Sequence, residues 1–130
     1  MQIRHIDKYK FEIEERGIKI ITDQPYPAGG NEGLAPVDFL AASLGSCIGV
    51  FAADYMMRNE LPTDGLTIDV FRQHAQKPNR VSQFRVSINI PVELSDRQRA
   101  SLSRIVKGCS VHNTLHNPPE IDIALVENGP

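Results

Sequence analysis

Residues 36–59 read PVDFLAASLGSCIGVFAADYMMRN, and this stretch decides the fold. Pro36 suits the first turn of a helix, Asp38 near that end complements the helix dipole, and the next proline is Pro62, so the run predicts a helix from Pro36 to Asn59. Leu40, Leu44, Cys47, Ile48, Phe51 and Tyr55 recur at three- and four-residue intervals, which puts Cys47 on a continuous apolar stripe facing the interior. Ala41, Gly45, Gly49 and Ala53 run beside it, four small residues four apart. A mid-helix glycine costs about 1 kcal/mol relative to alanine. Two of them therefore predict a helix or sheet packed very close against that line. The uncharged part, Phe39 to Ala53, is too short and too rich in glycine and serine to read as a membrane span.

Upstream of the helix, Gln2 to Glu14 carries Tyr9, Phe11 and Ile13 at alternate positions, the pattern of a half-buried strand. Arg16-Gly17 punctuates it, and Ile18 to Ile21 resumes as a second strand of a hairpin. Asp23 to Gly33 (DQPYPAGGNEG) is turn chemistry without a hydrophobic period, hence a loop. Downstream, Leu66 to His74 and Val81 to Ile90 read as strands joined by the turn KPNR at 77–80. Ser95 and Gln98 match a capping box that opens a helix from Asp96 to Lys107, with Gly108 as its stop. Ser110 to Leu115 predicts a further short helix, and Glu120 to Val126 an amphipathic strand. Strands, long helix, strands, helix and strand in that order predict an α+β fold with helices laid on antiparallel sheet.

At 130 residues the chain is sized for one domain, 1–130, and therefore for one site. Hydrophobic residues at 41% and charged residues at 23% place it among ordinary globular domains. A net charge of −2 with scattered lysines and arginines excludes nucleic acid as an expected partner. The N-terminal MQIRHIDKYKFEIEE has no apolar run of the secretory kind, so a cytoplasmic location is expected, with no membrane partner. No cofactor is expected: Gly29-Gly30 lacks the strand-to-helix spacing and following Lys-Ser/Thr of a phosphate loop. Ser43-Leu44-Gly45-Ser46-Cys47 is no hydrolase nucleophile elbow either.

The two cysteines, Cys47 and Cys109, are then the centre of any chemistry, because a reducing compartment favours free or redox-active thiols over structural disulfides. A helical cysteine such as Cys47 is ordinarily a small hydrophobe, and reactivity requires a lowered pKa and access. Cys109 follows a helix stop and precedes a helix start, where unpaired backbone N–H groups stabilise a thiolate. The two meet only if the fold brings them together. Cys109, His112 and His116 also have a C-x2-H-x3-H spacing, three ligands of a zinc site with Cys47 as a conceivable fourth, but without a CxxC half-site.

The run Gly29-Gly30-Asn31-Glu32-Gly33-Leu34-Ala35-Pro36-Val37-Asp38-Phe39-Leu40-Ala41-Ala42-Ser43-Leu44-Gly45-Ser46-Cys47 resembles the OsmC/Ohr family. The block from Val106 to Leu115, VKGCSVHNTL, resembles that family's second cysteine motif. The resemblance implies an OsmC-like fold, an intertwined homodimer in which antiparallel sheets wrap long central helices, the small-residue line allowing their close packing. It implies a peroxidatic Cys47 that reduces an organic hydroperoxide, a resolving Cys109, and a dithiol reductant that resets the pair. The family's hydroperoxide reductases place Glu directly after the helix-opening Pro, paired with an Arg from the N-terminal hairpin. Here Val37 holds that position, Asp38 is the neighbouring acid and Arg16 the nearest arginine, so Asp38 and Arg16 are the expected tuning groups. The alternative is a non-enzymatic member that binds a small apolar or thiol-reactive ligand at the dimer interface.

Overall fold

A computed structural model describes residues 1–127. Strands β1 (Gln2–Asp7), β2 (Lys10–Glu15) and β3 (Ile18–Thr22) form an antiparallel sheet in that order. The expected single strand from Gln2 to Glu14 is thus two, reversed at Lys8-Tyr9 with Lys8 at φ 48°. The turn alone would set odd positions opposite even ones, but a bulge between His5 and Asp7 restores the phase: Ile3 pairs Ile13 and His5 pairs Phe11, all odd positions on one face. Period-two patterning alone therefore cannot reveal the reversal. At the other end of β2, Arg16 and Gly17 both take positive φ, 50° and 78°, the geometry a two-residue hairpin needs.

The loop that follows is organised by one carboxylate. Asp23, 2% exposed, accepts backbone N–H groups from Gln24 at 2.8 Å and from Gly30 and Glu32 at 3.1 Å each. Gly29 is required at its place because a Cβ there would stand 2.4 Å from the Gln24 carbonyl oxygen. A bridge between Thr22 and Leu34 ties the loop back to β3 and delivers the chain to α1 (Pro36–Arg58).

The helix is capped by Asp38, whose Oδ2 accepts from the Ala35 N–H at 2.9 Å, and ends in Asn59. Its small-residue line faces β4 (Thr67–Ala75), which pairs antiparallel with β5 (Arg80–Asn89). A Cβ on Gly45 would come within 2.7 Å of Val70 Cγ2, and one on Gly49 within 3.3 Å of Ile68 Cγ1. The close neighbour of these two glycines is therefore this chain's own sheet, one of the two partners expected.

The rest of the core is built along α1 in two patches. Ala52, Tyr55 and Met56 pack with Leu94 and with Leu102 of α2 (Asp96–Ile105), while Leu44 and Ile48 pack with Cys109. α2 opens on the expected capping box, Ser95 Oγ accepting from Gln98 N–H at 3.2 Å and Gln98 Oε1 from Ser95 N–H at 2.9 Å. It runs into a 3-10 turn, Val106–Gly108, rather than stopping on a glycine cap, and α3 (Ser110–His116) follows.

One face of α1 stays open: Val50 is 66% and Met57 62% exposed, two turns apart on the same side. The whole helix, unlike the Phe39–Ala53 run alone, is by length and composition long and apolar enough to cross a membrane, 23 residues containing an 18-residue stretch of mean hydropathy 1.6. Its packing on β4 and its two buried patches make it the core helix of this fold. The expected strand Glu120–Val126 joins neither sheet; Ile121, Ile123 and Leu125 are all exposed, Ile123 at 87%. An amphipathic strand gains little unless it pairs with a sheet edge and buries its apolar side, and within one chain this segment pairs with none.

Candidate thiol site

Helix α1 and the N-terminal end of α3 bring the two cysteines into one cluster. Cys109 is fully buried among Leu44 and Ile48, and Cys47, half-buried, packs against it. Cys109 stands at the N-cap of α3, where its Sγ accepts from the His112 N–H at 3.4 Å. The Sγ of Cys47 lies 3.9 Å from Ser110 Oγ, on the first residue of the same helix.

The two thiols are driven in opposite directions. Cys47 is held below the usual thiol range chiefly by a hydrogen bond from the Cys109 thiol, then by the Val111 N–H, with the Ser110 hydroxyl and N–H adding to it against the cost of burial. Burial pushes Cys109 up, and donating to Cys47 pushes it further. The more acidic thiol stands on the accessible side and the less acidic one behind it. Its lowering groups are a thiol, a hydroxyl and backbone N–H groups at a helix start, where amides have no intrahelical acceptor.

Asp38 belongs to a different face. Nine residues at about 100° each carry it two and a half turns from Cys47, roughly 13.5 Å along the axis, onto the side that bears Gly45 and Gly49. There it ion-pairs with Arg72 of β4, which holds its carboxyl below the usual range, helped by the Ala35 N–H. Arg16 sits at the far tip of the β2–β3 hairpin, so within one chain the guanidinium beside Asp38 is that of Arg72 and not of Arg16.

His112 and His116 stack with ring centroids 4.3 Å apart. Among the described residues no group of three or more His, Cys, Asp or Glu side chains is placed to hold a metal ion. The C-x2-H-x3-H spacing brings no ligand set together there: the Cys109 sulfur is engaged with Cys47 and the His112 amide rather than with the imidazoles. The histidines instead line a cavity of about 600 Å³ with Leu44, Ile48, Phe84 and Val86. Reading the sequence for chemistry passes over Ser110 and Arg72. Arg72 shares the alternation of Ile68 and Val70, so its sheet face is legible in the pattern, whereas the approach of Ser110 to Cys47 depends on how α3 meets α1.

The long helix of this α+β chain thus meets, at Cys47, a second and buried thiol from a distant segment. The OsmC-like protein family model matches residues 29–124, and the chain belongs to that family. Its fold matches a Psychrobacter arcticus protein provisionally described as an osmotic stress induced and detoxification response protein, at 27% identity and a TM-score of 0.78, over 87% of this chain and 85% of that one. It also matches an OsmC-like protein from Mycoplasma pneumoniae (17%, TM-score 0.73, 90% and 86%). An OsmC-like hydroperoxide resistance protein from Jannaschia sp. is similar at 15% identity and a TM-score of 0.54, over 98% and 91%. No curated protein sequence gives a significant match.

Proposed function

We propose that the protein is a thiol-dependent reductase of organic hydroperoxides, acting as a homodimer in a reducing cytoplasm. The observation that carries this reading is the opposed pair: Cys47 lowered and partly accessible, Cys109 raised and buried against it. The Cys47 thiolate attacks the O–O bond, becomes Cys47–SOH and, with one proton taken up, releases the alcohol. The Cys109 thiol then condenses with the sulfenic acid, releasing water and leaving a disulfide. A dithiol reductant of two electrons and two protons restores both thiols. Family membership and the Jannaschia relative's description favour this chemistry.

The homodimer is supported by surface that one chain leaves open. Val50 and Met57 on α1 and Ile121, Ile123 and Leu125 in the C-terminal segment are apolar and exposed, and a helix apolar on nearly every side is stable in water only when a partner covers it. Cys47 borders that open face, which supports substrate entry near the interface. Asp38, tied to Arg72, acts in its own chain as a clamp on the helix start. Arg16, at the tip of its hairpin, meets a Cys47 only across such an interface.

The test is kinetic. Wild-type protein supplied with cumene hydroperoxide and a dithiol should consume peroxide, and Cys47→Ser should reduce consumption to the uncatalysed rate. Consumption by Cys47→Ser at the wild-type rate would exclude Cys47 as the nucleophile. A wild-type protein that consumes no peroxide, yet shows a saturable thermal shift with a small apolar ligand, would favour the non-enzymatic binding role instead.

A further inference from the structure

We propose that Ser110 is a positioning residue for Cys47, its hydroxyl donating to the thiolate and holding the sulfur in its reactive form, an inference that rests on the thiol-pair reading above. The carboxylate expected to tune the thiol is engaged elsewhere: Asp38 lies on the opposite face of α1 and is committed to Arg72 and the Ala35 amide. Val37 brings no charge. What the fold puts next to Cys47 is α3, and Ser110 is the residue of that helix whose side-chain oxygen approaches the sulfur, at 3.9 Å.

The hydroxyl is suited to this contact. Among the described residues the hydroxyl meets no side chain but Cys47, while the Ser110 carbonyl separately accepts from Thr114 Oγ1 at 2.7 Å. A hydroxyl donates one hydrogen and can rotate to meet a sulfur that gains charge, and a hydrogen bond to the charged form favours that form over the thiol. The lowered pKa of Cys47 includes Ser110 among its causes. The neighbouring Cys109 cannot serve alone, because it leaves the donor role when it becomes the attacking thiol. Ser110 keeps its hydrogen throughout, and so can also solvate the departing charge when the disulfide is reduced.

The experiment is the pH dependence of Cys47 alkylation by iodoacetamide, followed by mass spectrometry, in wild type, Ser110→Ala and Ser110→Thr. Removing the hydroxyl should move the Cys47 titration upward, so that alkylation at a pH below the midpoint falls about three- to tenfold, tenfold corresponding to one pKa unit. The rate on the high-pH plateau should stay at the wild-type value. Ser110→Thr, which keeps the hydroxyl, should restore the low-pH rate. An unchanged titration in Ser110→Ala, or a plateau that falls together with the low-pH rate, would overturn the proposal. Alkylation does not require turnover, so a protein inert toward hydroperoxide but with a Ser110-dependent titration would overturn the peroxidase function and uphold the role of Ser110.

Discussion

The His112 amide donates to Cys109 Sγ at 3.4 Å, so the sulfur that lies against Cys47 also closes the first turn of α3. Removing an N-cap acceptor costs about 0.5–2 kcal/mol in typical helices. Cys109→Ala should therefore be less stable than Cys109→Ser by about 1 kcal/mol in urea unfolding, although both variants lose the disulfide equally. Equal stabilities would mean that the cap contributes nothing.

The two thiols should differ sharply toward alkylation. Cys47 is accessible and lowered, so its thiolate persists at pH values where an ordinary thiol is protonated, whereas Cys109 is fully buried and raised. Iodoacetamide at neutral pH should label Cys47 while leaving Cys109 unmodified until the chain unfolds, as peptide mass mapping would read. Comparable labelling of both in the native protein would contradict the burial described.

Gly45 and Gly49 offer a graded test of the packing under β4. Glycine to alanine gains about 1 kcal/mol of helix propensity, while overpacking a tight core costs about 1–3 kcal/mol. At Gly45 the new methyl would meet Val70 Cγ2 at 2.7 Å, a stiff β-branched neighbour; at Gly49 the approach is 3.3 Å, to Ile68. Gly45→Ala should be the less stable of the two variants, and Val70→Ala should relieve it, giving a coupling in a double-mutant cycle. Additive effects would show that the sheet yields freely.

Asp23 should set part of the acid limb of stability. Its carboxyl is lowered, first by the Glu32 N–H and then by those of Gln24 and Gly30. A folded pKa below the unfolded value of about 3.9 stabilises the folded chain above that value, and the contribution is lost as pH falls through the lowered folded value. Asp23→Asn should melt below wild type at pH 7, and the two melting temperatures should converge as the pH drops through that window. A constant gap at all pH values would assign the effect to shape rather than charge.

Much of this was legible from residue order. Proline, small residues and apolar spacing marked α1; Arg16-Gly17 marked the second hairpin; Ser95 and Gln98 marked α2. The Lys8-Tyr9 reversal was hidden because the bulge between His5 and Asp7 offsets the turn and keeps the odd positions on one face. The partner of the Gly45/Gly49 line could not be chosen between helix and sheet, since either tolerates the same small residues. At the site, Cys47 and Cys109 stand out as the two sulfurs of a chain with no other thiols. Their roles depend on Ser110 and on α3, where contact is set by tertiary packing and leaves no periodic trace. Asp38 was read as a tuning group from its nearness in sequence, and helical rotation turned it to the sheet.

Because Asp38, Gly45 and Gly49 look toward β4 while Cys47 looks the other way, α1 separates two kinds of constraint around its circumference. Positions on the sheet side answer to volume, and a substitution there is registered as folding. Positions around Cys47 answer to charge and access, and a substitution there is registered as reactivity. The helix can therefore be altered on its outward side to retune the thiol while its seating on the sheet stays intact, which makes the two properties separately adjustable within a single element.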